Sequence, residues 1–239
     1  MYFRDLFKSK KPVIGMIHLA GENNIAQAIK ELIIYEKCKV SGAILENYHG
    51  SVKDVYRLIN IIKNREYDLA FGVNILGNYK EGFKIAKENS FIKFMQIDAI
   101  SGDYYEDSNN KVYEGAYSIY KENSASIVMG GVWPKYYTPL EGSNLEKDLY
   151  NATKRCEAIV VTGSGTGKET PIEKIKKFRE AIGDFPLIVG AGITEDNAVE
   201  QLSMADACII GSYFKNNSTT EAVKEEKVQR LMDIINDNF

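Results

Sequence analysis

The sequence predicts a single (β/α)8 TIM barrel of the α/β class, on three observations. Short apolar runs alternate eight times with helical patterns through 239 residues, a length close to that of one such barrel. The runs stay apolar throughout, as parallel strands covered on both faces do. No composition break, repeat or low-complexity tract divides the chain, so one domain over residues 1–239 is expected. An open, doubly wound sheet is the rival arrangement, and eight even units favour closure.

The elements follow in order. Val13–His18 reads as the first strand, with Ile25–Cys38 as its helix. Gly42–Glu46 is the second strand, and Ser51–Asn64 its helix, with Ser51 as N-cap and Asp54 three residues on. Asp68–Leu76 is the third strand, followed by a helix that opens at Asn78 with Glu81 at N3. Phe91–Asp98 is the fourth, and after it Ala99–Lys111 reads as an irregular polar connection and Val112–Glu122 as a helix. Ser126–Trp133 is the fifth, followed by a second irregular stretch, Pro134–Gly142, and a capping box at Ser143–Glu146. Ala158–Thr162 is the sixth, with Thr170 as N-cap, Pro171 at N1 and Glu173 at N3 of the next helix. Pro186–Gly190 and Asp206–Gly211 are the seventh and eighth; Glu195 and Asp196 open the helix between them, and Val223–Ile235 closes the chain.

Composition narrows the function. A net charge of −3 argues against holding nucleic acid by general basicity. No run approaches the roughly 18 apolar residues of a membrane span, and no signal peptide is visible at the start. Cys38, Cys156 and Cys208 are widely spaced, without a CxxC pair, which reads as reduced, buried thiols in a cytoplasmic protein.

Barrel enzymes work at the carboxyl ends of their strands, which makes His18, Glu46, Asn74, Asp98 and Lys135 the catalytic candidates. His49, Asn47, Asn78 and Gln96 stand at comparable positions. Glu46 closes the apolar run Gly42–Leu45, where partial desolvation raises a carboxyl pKa toward acid–base work. The plainer alternative is a carboxylate paired with Lys135 or Lys93 that holds the barrel mouth. Asn74 is expected to orient the substrate, and Lys135 to stabilise developing negative charge, beside a wall formed by Trp133 and Tyr136. No HxH or HExxH spacing supports a metal, and no cofactor is implied.

The last three strands end in glycine with a hydroxyl residue nearby. Thr162, Gly163, Ser164 and Gly165, then Gly190 and Gly192, then Gly211 and Ser212 are the expected phosphate-binding set, with the short helix at Tyr213–Lys215. The stretch Gly163–Glu169 is not a nucleotide P-loop. Aligned on Gly167-Lys168, the pattern GxxxxGK[ST] needs glycine where Thr162 stands and Ser or Thr where Glu169 stands. A loop that closes over a ligand, with Lys168 available to an anion, fits better.

These motifs resemble the BtpA/SgcQ family of TIM-barrel proteins. The likeness runs through Lys11–Leu19, Gly42–Asn47, Phe71–Leu76, Ala158–Gly163, Val189–Asn197 and Ala205–Gly211. It implies a barrel of the ribulose-phosphate-binding type and a sugar phosphate or ribosyl compound as ligand. Family members are described as predicted enzymes or as photosystem I biogenesis factors, so a ligand-binding or assembly protein without catalysis is the second reading. Departures fall on the reactive face. Leu76–Tyr79 stands where the family has Leu-Arg-Asn-Asp, Lys93–Gln96 where it has Arg-Val-Asn-Val, and Gly130–Val132 where it has Ala-Asp-Val. The proline-rich loop after His-Leu is reduced to Ala20–Asn23. The expected partner is a small phosphorylated metabolite, handled by isomerisation, aldol-type cleavage or glycosidic-bond cleavage; a homo-oligomer is compatible with the sequence.

Overall fold

Eight parallel strands close into a ring in the computed structural model, which describes residues 2–106, 111–112 and 126–239. In chain order the strands are β1 (Val13–Ile17), β2 (Gly42–Glu46), β3 (Ala70–Asn74), β4 (Ile92–Ile97), β5 (Tyr104–Glu106) and β6 (Lys111–Val112). They continue as β7 (Ile127–Gly131), β8 (Tyr137–Pro139), β9 (Ala158–Val161), β10 (Leu187–Gly190) and β11 (Ala207–Ile210). The described helices are α1 (Phe3–Leu6), α2 (Asn24–Lys37), α3 (Val52–Ile62) and α4 (Tyr79–Glu88). After them come α5 (Leu145–Thr153), α6 (Ile172–Ile182), α7 (Ala198–Met204), a 3-10 turn at Ser212–Lys215, and α8 (Glu225–Asn238). The ring runs β1-β2-β3-β4-β7-β9-β10-β11 and back to β1, so the expected barrel topology holds.

Strand alternation divides the core into two layers. Inward residues such as Ile14, Ile44, Phe94, Met129, Val160, Ile188 and Ile209 fill the barrel interior. Outward residues such as Ile17, Leu45, Val73, Val161 and Val189 meet the helices. The amino end is closed by a short element absent from the sequence reading: α1 turns Phe3 and Phe7 under the barrel, with Phe7 edge-on to Phe94 at 6.0 Å. Four residues are too few for a helical period to show.

Several boundaries differ from expectation. The two stretches read as irregular pair with each other, because β5 and β8 form an antiparallel ladder with β6 on the other side of β5. Tyr104, fully buried, and Tyr137 pack edge to face in that ladder at 5.8 Å. The helix expected over 112–122 lies outside the described residues, except Val112, which is in β6. Asn144, not Ser143, caps α5 by accepting from Lys147 N at 2.9 Å. Pro171 is the N-cap of α6, and Thr170 donates instead to the Ala191 carbonyl at 3.3 Å. Glu195 and Asp196 lie in the turn before α7, which starts at Ala198. The caps at Ser51 and Asn78 are as expected. Cys38, Cys156 and Cys208 are buried thiols. Among the described residues no helix is long and apolar enough to cross a membrane.

Candidate active site

A cavity of about 390 Å³ opens at the carboxyl end of the barrel. Its two halves differ in kind. On the β1 to β4 side, continuing the inward alternation, stand His18, Glu46, Gln96 and Asp98. On the β7 to β11 side the inward positions shrink to Gly131, Thr162, Gly190 and Gly211, so backbone and small hydroxyls line that wall. One half thus carries carboxyls and an imidazole at its strand ends, and the other, apart from Lys135 and Tyr136 in the loop after β7, offers close approach to the main chain.

The polar half is organised around Glu46, 5% exposed at the end of β2. Asn74, at the paired position on β3, donates to Glu46 Oε1 at 2.8 Å and to Asp98 Oδ1 at 3.2 Å. One amide therefore holds two carboxyl groups together. Asn74 itself does not line the cavity; expected to orient the substrate, it instead points its amide at the two carboxyls. Burial pushes the Glu46 carboxyl up to about 8, with Asp98 adding to the rise and Lys135, Asn74 and Lys215 opposing it. Burial also raises Asp98, against the pull of Lys135 and the hydrogen bonds from Asn74 and Gln96. The pairing of Glu46 with Lys135 or Lys93 does not form; Lys93 is exposed and donates to the Ser90 carbonyl.

His18 sits 3.8 Å from Glu46, Nε2 to Oε2. Its Nδ1 lies 3.3 Å from the Thr219 carbonyl, which only accepts, so the neutral ring carries its proton there and turns a lone pair on Nε2 toward Glu46. Burial, with repulsion from Lys215, holds this imidazole down at about 3. Beneath it lies an ion pair unforeseen from the sequence, Lys215 to Glu31, 0% and 2% exposed, with Nζ at 2.9 and 3.0 Å from the two carboxylate oxygens.

The glycine half answers the phosphate expectation residue by residue. Thr162, Gly190, Gly192, Gly211 and Ser212 line the cavity. At Gly211 a β-carbon would stand 2.9 Å from His18 Cε1, so only glycine lets the ring and this turn share the space. Gly192 combines φ +70° with a site where a β-carbon would fall 2.3 Å from Glu169 Cα. Gly163, Ser164 and Gly165, expected in the same set, do not line this cavity. Gly163 and Ser164 border a neighbouring depression with Trp133 and Lys174, and a β-carbon at Gly163 would strike the Glu169 carbonyl at 2.6 Å. These residues turn the loop back on itself, and Lys168 points to solvent. Trp133 is likewise absent from the cavity wall, since its indole donates to Asp148 at 2.9 Å.

The roof of the cavity meets at Thr166. Lys135 Nζ lies 3.0 Å from Thr166 Oγ1, Tyr136 OH 3.1 Å and Tyr48 OH 3.3 Å. The Thr162 hydroxyl accepts from Lys135 N at 2.8 Å and sets the start of that turn. Tyr48 escaped the sequence reading, although it stands two residues after Glu46, on the same side of an extended chain. His49 is exposed and pairs with Thr219 Oγ1 at 2.9 Å; the Asn47 side chain accepts from Leu76 N at 2.8 Å. Both tie loops together outside the cavity. Among the described residues no three His, Cys, Asp or Glu side chains are grouped to hold a metal ion.

The chain matches the profile of the BtpA family over residues 9–237. The chain belongs to the BtpA family. Among BtpA-family relatives, an uncharacterised protein of Methanocaldococcus jannaschii is 28% identical, over 97% of this chain and 96% of that one. An uncharacterised protein of Pyrococcus horikoshii is 26% identical over 95% and 96%. The sgc region protein SgcQ of Escherichia coli is 28% identical over a segment covering 32% of this chain and 29% of its own. In fold, this BtpA-family chain is similar to thiamine phosphate pyrophosphorylase of Pyrococcus furiosus, with a TM-score of 0.66, 14% identity and coverage of 96% and 97%. It is similar also to phosphoribosyl anthranilate isomerase of Thermus thermophilus, with a TM-score of 0.63, 13% identity and coverage of 95% and 98%. At such identities the likeness concerns the barrel.

Proposed function

We propose that this chain is an enzyme that binds a small phosphorylated metabolite, a sugar phosphate or ribosyl compound, and acts on it by acid–base chemistry. The observation that carries the reading is Glu46, a buried carboxyl at the cavity floor that keeps its proton at neutral pH while Asn74 bridges it to Asp98. Two carboxyls that close do not both ionise readily, so one is left as proton donor and the other as acceptor. Glu46 is the acid and Asp98, nearer the influence of Lys135, the base. His18 stays neutral and offers Nε2 to a substrate hydroxyl, and Lys135 meets negative charge on the substrate. The amides around Gly192, Gly211 and Ser212 receive the phosphate, at the strand ends that β10 and β11 leave to glycine. Fold relatives whose names include phosphorylated compounds support this class of ligand.

The test is Glu46→Gln, assayed over a panel of phosphorylated sugars. Turnover should fall by about 10²–10⁴-fold, the usual contribution of a general acid or base, while calorimetric affinity for the same phosphate ester stays within a factor of about three. Retained turnover removes Glu46 from the chemistry. Binding without product in the unmodified chain supports the ligand-binding reading.

A further inference from the structure

Lys135 lines the cavity and, among the described residues, forms no ion pair there. Its ammonium has one hydrogen-bond partner among the described residues, the neutral Thr166 hydroxyl at 3.0 Å, and no carboxylate lies within ion-pair distance of it there. Two of its three N–H groups are therefore left for whatever enters. The side chain is not loose. Its backbone N–H is held by Thr162 at 2.8 Å, its Nζ stands 5.8 Å from the centre of the Tyr136 ring, and Thr166 N fixes the Tyr136 phenol at 2.9 Å. Tyr48 reaches the same threonine at 3.3 Å. An ammonium and two phenols thus converge on one small region, a grouping suited to an oxyanion.

Lys135 enters that region from the loop after β7, whereas the glycine turns follow β10 and β11 and approach it through Gly167, where a β-carbon would stand 2.8 Å from Ser212 Oγ. In the ring β7, which leads into Lys135, stands opposite β1 and three strands from β11. A cavity of about 390 Å³ has room for more than one phosphate group. The neighbouring carboxyls Glu46 and Asp98 share the Asn74 amide and act on Lys135 through space, without ion-pair contact among the described residues.

We propose that Lys135, steadied by Thr166 and flanked by Tyr48 and Tyr136, holds a second, permanently anionic group of the substrate, so that the ligand is a phosphate ester carrying another acid. This rests on the proposed phosphate site at the glycine turns. A carboxylate and a second phosphate share the chemistry that Lys135 recognises, and binding measurements separate them.

The experiment is calorimetry on the full chain with D-ribose 5-phosphate, 3-phosphoglycerate and ribulose 1,5-bisphosphate. At least one of the two diacids should bind about tenfold or more tightly than ribose 5-phosphate, and which one does so identifies the second acid. Lys135→Met should weaken the diacid about tenfold and ribose 5-phosphate by a much smaller factor, whereas Lys135→Arg should keep the preference. The proposal is overturned if neither diacid binds more tightly than ribose 5-phosphate, or if Lys135→Met weakens all three compounds alike, which makes Lys135 the primary phosphate ligand. Absence of binding by any phosphate ester overturns the phosphate reading first and this one with it.

Discussion

Glu46 and His18 lie 3.8 Å apart and are displaced in opposite senses by the same burial, the carboxyl up to about 8 and the imidazole down to about 3. Both are consequently neutral at pH 7, and their pH signatures separate them. In the unfolded chain a glutamate titrates near ~4.3, so from there to about 8 the folded chain holds a proton the unfolded chain has released. Stability contributed by Glu46 is then lost as pH rises through that window. For His18 the unfolded chain takes a proton near ~6.5 that the folded chain refuses, so stability is lost as pH falls below that value. Thermal melts from pH 5 to 9 should be level up to about pH 6.5, where the two contributions offset each other, and should decline along an alkaline limb from there to about 8; Glu46→Gln should flatten that limb and uncover an acid limb below about 6.5. An unchanged alkaline limb in Glu46→Gln would remove this carboxyl as its source. In an activity profile, loss of the acid form should make kcat/KM fall above about pH 8.

Single elements carry two further tests. The turn after β11 accommodates His18 only because residue 211 is glycine. Gly211→Ala should cost about 1–3 kcal/mol by overpacking, read by denaturant unfolding, and should displace the imidazole resonances of His18. Behind that turn, Lys215 on the 3-10 segment is clamped to Glu31 on α2, away from water. Removing either partner alone leaves a buried charge and should cost about 3–5 kcal/mol. The double variant Glu31→Leu/Lys215→Met should recover most of that loss; if it is as unstable as the single variants, the pair stabilises by more than mutual neutralisation. Helix α2 showed its length in the sequence because Ala28, Leu32 and Tyr35 fall on one face. The pairing of its Glu31 with a lysine 184 residues away did not. Local spacing reports periodicity, whereas ion pairs between distant elements depend on the closed ring.

At the scale of the molecule, uninterrupted apolar runs were enough to read the barrel, since eight strands covered on both faces leave few other arrangements. The strand ends also made Glu46, Asp98 and His18 visible as neighbours. Less legible was what each loop does after it leaves the barrel. Gly163, Ser164 and Gly165 look like ligand-binding glycines in one dimension, yet steric fit to Glu169 and the turn at Lys168 takes them out of the cavity. Tyr104 and Tyr137 sit in stretches without strand-like length, and their pairing needs both chain segments at once. The division of the mouth into an ionisable wall and a glycine wall follows from the ring order, which no single stretch contains.

That division is most directly tested by a crystal of the chain soaked with D-ribose 5-phosphate. The phosphate should rest against the amides of Gly192, Gly211 and Ser212, with the sugar carbons directed toward Glu46 and Asp98. Phosphate density beside Lys135 with the glycine turns empty, or sugar carbons turned away from the two carboxyls, would contradict the account.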